Sequence, residues 1–240
     1  MQYVRFERQD RVGIVTMDYR RENRLNPDLL RELMQVLDEI ERDAGTGAVV
    51  LTGGDPKFFS NGLDLEWLLA HVADMDAVLA YNKSVNAMFR RWTLFPKPTV
   101  AALNGHTFAA GLFLAAHLDF RFMRADRGWI CLPEVDINIP LLPGMIAICQ
   151  ATMSSEGFRR LYYTGRRLTG PEAVAIGFVE RACSAEELLP TCVELAAELA
   201  KKKPTTYAEM KRRLRHEIAR LLDEEDPQHF RQVLAVAVAP

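Results

Sequence analysis

Three short segments hold residue types and spacings able to do chemistry. They are Phe58-Phe59-Ser60-Asn61-Gly62-Leu63-Asp64-Leu65, Asn104-Gly105-His106-Thr107-Phe108-Ala109-Ala110-Gly111, and the acid Glu134 within Pro133-Glu134-Val135. In the first two, small residues stand where a strand gives way to a helix. A chain that turns there leaves backbone N–H groups without intrahelical acceptors, and such groups can hold an oxygen on which negative charge develops. Leu63, which follows Asn61-Gly62, and Ala110 are the candidate donors. Asp64 favours the positive end of the following helix, although an ordinary turn and cap would use the same residues.

Glu134 sits in an apolar stretch that includes Ile130, Leu132, Val135, Ile139 and Leu142. A carboxylate desolvated there has a raised pKa and trades a proton near neutrality. A solvated loop acid or a salt-bridge partner is the plainer reading of the same residue, and Asp136 reads as structural. Two N–H donors beside one desolvated carboxylate are what proton transfer next to a thioester carbonyl requires.

The elements that must position these groups alternate along the chain. Met1 to Glu7 and Arg11 to Asp18 read as paired strands with a turn near Gln9-Asp10. Asn26-Pro27 caps a helix whose stripe of Leu29, Leu30, Leu33, Val36, Leu37 and Ile40 runs down to Arg42. Ala48 to Thr52 is a strand closed by Gly53-Gly54. A helix starts at Gly62 or Leu63 and runs to about Leu69, and another spans Met75 to Leu94. Thr99 to Leu103 is a buried strand, followed by a turn and a helix from about Ala109 to His117. Asp119 to Met123 and Trp129 to Leu132 are short strands. Gly144 to Arg160 is helical with a weak break, Thr169 to Ala175 is a capped helix ending at Gly177, and Phe178 to Ala182 is extended. Two amphipathic helices, Ala185 to Lys202 and Tyr207 to Glu225, flank Lys203-Pro204. Strand and helix recur as in a mostly parallel layered fold. The expected division is a body over residues 1–198 and a helical tail over 199–240.

At 240 residues, 49% of them apolar, the chain can bury a full core. Thirty basic against 32 acidic residues give a net charge of -2, which weakens any general electrostatic case for nucleic acid. Cys131, Cys149, Cys183 and Cys192 lack Cys-x-x-Cys spacing and read as buried thiols. Five histidines show no metal signature, and His106 reads as a hydrogen-bonded structural residue. Ser60 is outside any Gly-x-Ser-x-Gly elbow. No signal-peptide pattern opens the sequence, no window is apolar enough to span a membrane, and Val238-Ala239-Pro240 is not a peroxisomal address. The expectation is a cytoplasmic protein with no membrane partner.

The three segments, with Arg127-Gly128-Trp129-Ile130-Cys131-Leu132 leading into the third, resemble the crotonase, or enoyl-CoA hydratase/isomerase, superfamily over Tyr3 to about Leu199. The resemblance implies a spiral of ββα units with two sheets at a steep angle, a C-terminal helical region that covers the active site, and assembly as a homotrimer or a dimer of trimers. It implies an acyl-CoA thioester as substrate, no cofactor and no metal. Leu63 and Ala110 would supply the oxyanion hole and Glu134 the acid/base. Arg24, Lys57, Asn61, Gly62 and Asp64 would meet the CoA body, with Arg20 and Arg21 as further basic candidates near the loop before the first helix. The Met75 to Trp92 stretch would border the acyl pocket or serve as plain core.

The pattern departs from the family's hydratases, whose first glutamate falls here on Phe113. The acid used by its dienoyl isomerases and dehalogenases falls near Leu141 or Leu142. What survives is the single-base arrangement of the Δ3,Δ2-enoyl-CoA isomerases, with Phe59 to Trp67 similar to the plant and fungal peroxisomal forms and their bacterial relatives. Isomerisation of 3-enoyl-CoA to 2-trans-enoyl-CoA, within fatty-acid metabolism, is therefore expected. The alternatives are an enoyl-CoA hydratase or another acyl-CoA enzyme of the superfamily, and a non-catalytic CoA-binding or assembly protein.

Overall fold

Val4–Gln9 (β1) and Val12–Met17 (β2) pair antiparallel, and Asp10 turns between them with φ of 51°. Asn26 caps α1 (Pro27–Arg42) by accepting the Leu29 N–H at 2.8 Å, with proline at the first helical position. The apolar stripe of α1 is buried along its length. In this computed structural model, which describes residues 1–237, the chain then climbs a spiral in which each rise supplies one strand to each of two sheets.

The large sheet holds β1, β2, β3 (Ala48–Gly53), β5 (Thr99–Leu103), β7 (Phe120–Arg124) and β9 (Arg181–Cys183) in that order, parallel after the first pair. The small sheet holds β4 (Phe58–Ser60), β6 (His106–Phe108) and β8 (Ile130–Cys131), also parallel. Strands β4 and β6 escape the sequence reading because three residues are too few to show a period of two. Between the sheets' strands run α2 (Leu65–Ala70), α3 (Met75–Thr93) and α4 (Ala110–His117). This is the expected ββα spiral with two sheets.

The central strands β2, β3 and β5 are covered on both faces, which is why they are almost continuously buried, whereas the edge strand β1 is largely exposed. Val12, Ile14, Val50, Val100 and Ala102 face α8 (Ala185–Leu199), whereas Val15, Val49, Leu51 and Ala101 join the main core with α1, α3 and α4. The expected interrupted helix after Gly144 is two helices, α5 (Pro143–Thr152) and α6 (Ser155–Thr164), followed by α7 (Gly170–Ala175) with a Thr169/Glu172 capping box.

The tail differs from expectation at its end. Helix α9 (Pro204–Arg220) runs into a π-helical turn over Leu221–Glu225, in which the Asp226 N–H reaches back to Leu221 O, and then into α10 (Asp226–Ala237). The expected Tyr207 to Glu225 helix is thus only part of a longer rod; Val238-Ala239-Pro240 lie outside the described residues. A buried polar network docks α9 on the core. Asp119 receives Lys211 Nζ at 2.6 Å and the Tyr207 hydroxyl at 3.0 Å, while Arg215 donates to His117 O at 2.5 Å and Leu118 O at 3.1 Å. Among the described residues, no helix is long and apolar enough to cross a membrane.

Candidate active site

Strand β4 delivers the first loop, and hydrogen bonds hold it from several sides. Ser60 Oγ donates to Asn23 O at 2.8 Å, the Asn61 N–H to Glu22 O at 2.9 Å, and the Leu25 N–H to Gly62 O at 2.8 Å. Gly62 has φ of 89°, a conformation that favours glycine. The Tyr81 hydroxyl, from α3, accepts the Asp64 N–H at 3.2 Å and donates to Leu25 O, so one side chain ties the residue after Leu63 to the Leu25 segment that pairs with it. Asp64 caps α2 by accepting the Trp67 N–H at 3.2 Å. Helix α2 therefore starts at Leu65, not at Gly62 or Leu63. The Leu63 N–H belongs to the loop ahead of it, and it has no acceptor among the described residues.

The second loop leaves β6 at Phe108. The Ala109 N–H donates to Cys131 O at 3.0 Å, and Ala109 has φ of 51° and ψ of -126°, which an L-residue adopts only under strain. That dihedral turns the chain directly into α4, whose first N–H, that of Ala110, has no acceptor among the described residues. Gly111 packs so tightly on β4 that a Cβ there would come within 2.5 Å of Ser60 O.

The third group arrives from β8. Pro133–Val135 forms one 3-10 turn, and this presents Glu134 inward with 8% of its surface exposed while Asp136 points to solvent. Asp136 thus does not share a face with Glu134. Burial pushes the Glu134 carboxyl up to about 7, and its Oε2 has no hydrogen-bond partner among the described residues. Leu63, Ala110 and Glu134 all line one cavity of about 270 Å³. Asn61, Phe113, Leu141, Leu142 and Met145 share its wall, so the places where other acids would stand hold apolar side chains. A preorganised pair of N–H donors with a carboxylate titrating near neutrality can move a proton on carbon next to a carbonyl.

The basic candidates part company. Arg20, Arg21 and Arg24 line a hollow of about 240 Å³ together with Tyr19, Glu22, Asp64 and Glu66. Arg24 is held there by Glu22 and Glu66, each at 2.7 Å. Lys57 is not on that wall; its ammonium lies 5.3 Å from the centre of the Phe58 ring. His106 is buried and stacked on Trp129 with ring centres 4.8 Å apart, outside the cavity lining. Its Nδ1 has no partner among the described residues, so the expected hydrogen-bonded role is not what holds it. Burial lowers its pKa, with Lys57, Arg167 and Arg127 adding to the effect.

In α3, Asn82 and Val85 border the cavity whereas Met88, Phe89 and Trp92 are core. The sequence reading missed Tyr81, whose phenol at a helical apolar position was the available signal. It also missed Phe230 and Val233 of α10, which close one side of the cavity. Among the described residues, no group of three or more His, Cys, Asp or Glu is arranged to hold a metal, and all four cysteines are buried and free.

A family model described as enoyl-CoA hydratase/isomerase matches residues 7–234. Enoyl-CoA delta isomerase 3 of Arabidopsis thaliana is 36% identical over 225 residues, covering 90% of this chain and 94% of its own. A putative enoyl-CoA hydratase of Thermus thermophilus is 35% identical over 192 residues, covering 79% and 74%. The crystal structure of an enoyl-CoA hydratase/isomerase family protein from Pseudomonas syringae superposes with a TM-score of 0.89 at 25% identity, covering 97% of this chain and 98% of that one. Relatives named as isomerases and as hydratases both occur, which supports the wider expectation of a crotonase-type enzyme above any one subfamily. The chain, with its ββα spiral and its two-loop cavity, belongs to the enoyl-CoA hydratase/isomerase family.

Proposed function

We propose that this enzyme moves the double bond of a 3-enoyl-CoA to the 2-position. The observation that carries the reading is the solitary carboxylate: among the described residues lining the cavity, Glu134 alone can exchange a proton. In the proposed step Glu134 takes the C2 proton, the C–H electron pair forms a C1–C2 double bond, and the carbonyl electrons move onto the thioester oxygen. The Leu63 and Ala110 N–H groups hold that dienolate oxygen, and losing one such donor costs about 3 to 4 kcal/mol. The oxygen then returns its electrons, C2 and C3 become doubly bonded, and protonated Glu134 gives its proton to C4. Phe113 keeps water from the reacting carbons.

The nucleotide end of CoA would occupy the hollow walled by Arg20, Arg21 and Arg24, beside the Asn61-Gly62 turn and Asp64, with Lys57 a more distant cation. Met210 and Leu214, strongly exposed one turn apart on α9, support assembly as a trimer or a dimer of trimers, which light scattering would test against a monomer.

A second reading, hydration of 2-enoyl-CoA, is favoured by the hydratase names among the relatives. Supplying 3-enoyl-CoA and 2-enoyl-CoA separately in heavy-oxygen water separates the two. Double-bond migration without label is expected; rapid formation of labelled 3-hydroxyacyl-CoA would replace isomerisation with hydration.

A further inference from the structure

Beyond the cavity that holds Glu134 lies a second one, larger at about 590 Å³, between α1, α3 and the tail. Two residues line both: Asn82 of α3 and Phe230 of α10. They form the partition between the two spaces. We infer that the acyl pocket continues past Asn82 and Phe230 into the second cavity, and that the enzyme takes thioesters whose acyl chain enters it and carries a hydroxyl at the partition. The inference rests on the acyl-CoA reading and adds the substrate class to it.

Asn82 carries the argument. Its surface is 9% exposed, and it stands in a wall otherwise built of Val85, Phe113 and Leu142 with its residual exposure on the two cavities, where no side chain or backbone group among the described residues engages its amide. The other two polar residues of the acyl cavity are accounted for: Asn61 Nδ2 donates to Glu22 Oε2 at 3.2 Å, and Glu134 is the proposed base. A hydrocarbon chain lying across the partition would strip solvent from that amide, and leaving it without a partner costs about 1 to 3 kcal/mol, so a pocket meant for a plain hydrocarbon would be better served by leucine at this position. A hydroxyl, which both donates and accepts, satisfies both ends of the amide.

The second cavity differs in character from the first. Lys83, Asn86, Arg90, Arg91 and Asp223 share its wall with apolar residues. Arg90 is paired with Asp223 at 2.5 Å, and Arg91 with Asp38 at 2.9 Å and Glu41 at 2.5 Å. Asn86 Nδ2 donates to Leu222 O at 3.3 Å, while its Oδ1 is buried without a partner among the described residues. Both arginines are paired with acids, and Lys83, which has no ion pair among the described residues, is exposed to solvent.

Calorimetric titration with saturated thioesters tests the inference without turnover, so its result does not depend on whether the enzyme isomerises or hydrates. The probes are butyryl-CoA, decanoyl-CoA and a series of decanoyl-CoAs hydroxylated along the outer half of the chain. The best hydroxylated probe should bind about tenfold tighter than decanoyl-CoA, the worth of about 1.4 kcal/mol. Asn82→Leu should abolish that preference. Ala87→Trp, an exposed α3 position on the second cavity's wall, should fill that space and weaken every decanoyl probe while leaving butyryl-CoA binding unchanged. Equal binding of plain and hydroxylated chains, or decanoyl binding indifferent to Ala87→Trp, would overturn the inference alone. Failure of butyryl-CoA to bind would overturn the acyl-CoA reading and this inference with it.

Discussion

Gly62 and Ala110 stand so close that a Cβ on Gly62 would lie 3.2 Å from the Ala110 amide nitrogen. The same Cβ would come within 2.9 Å of the Ala109 Cβ, so the two loops that carry the proposed donors touch at a point with no room for a methyl group. Gly62→Ala should push Ala110 out of line and also strain a backbone at φ of 89°. The expected loss in kcat is roughly a hundredfold, as for removal of an oxyanion donor. Wild-type turnover in the variant would argue that the Ala110 N–H takes no part.

Glu134→Gln should lower kcat by at least about a hundredfold while CoA affinity stays close to wild type. The same change should make the protein more stable at alkaline pH. Burial raises the folded-state pKa of Glu134 from 4.5 to about 7. The stability this group contributes is therefore present below about pH 4.5 and lost as pH rises through 7, and glutamine has nothing to lose. Above pH 8 the gain is on the order of 3 kcal/mol at most. Denaturant melts at pH 5 and pH 8 check it: the gap between variant and wild type must widen with pH.

A base titrating near 7 also shapes the rate profile. kcat/KM should rise about tenfold per pH unit below pH 7 and level off above it, because only ionised Glu134 can take the C2 proton. A flat profile between pH 5 and 8 would remove Glu134 as the titrating base.

Asp119→Ala should cost about 3 to 5 kcal/mol, because it strands the buried Lys211 and Arg215 cations without their shared carboxylate. Urea unfolding measures the loss, and a change below about 1 kcal/mol would show that α9 is held by its apolar contacts alone. Because the network ties α9 to the core, limited proteolysis should cut the variant's tail first.

Ala109→Gly acts in the opposite direction. Alanine at φ of 51° and ψ of -126° stores strain of about 1 to 3 kcal/mol, part of which glycine would return after its own entropic cost. A higher melting temperature is expected, and a lower one would mean that the Ala109 methyl group's packing outweighs the dihedral.

What could be read from the residues follows from how local each signal is. Helices α1 and α3 carry caps and apolar stripes long enough to show their period, and β3 and β5 are continuous apolar runs bounded by glycine or proline. The three chemical segments were legible because each packs its small or acidic residues into a few consecutive positions. Strands β4 and β6, which aim the first two segments at the cavity, are only three residues long and exist through pairing with distant partners, whereas β8 was legible inside the Trp129 to Leu132 run. Tyr81 was hidden for a similar reason: its phenol matters because Leu25 and Asp64 come to it from elsewhere in the chain. Nor did any local pattern announce the positive φ of Ala109, since alanine is a poor choice for it.

The π-turn at Leu221–Glu225 has a consequence for how this pocket is set. A turn closed five residues back instead of four holds one residue more than an α-helical turn, so everything after it is rotated by about 100°. Phe230 and Val233 reach the acyl cavity, and Asp226 reaches the Gly144 N–H at 2.7 Å, in that rotated phase. Removing one residue from the turn would swing all three away at once without altering any of them. The depth of the acyl pocket is therefore written in the tail as a count of residues, and a single insertion or deletion there could retune chain-length preference while Leu63, Ala110 and Glu134 remained untouched.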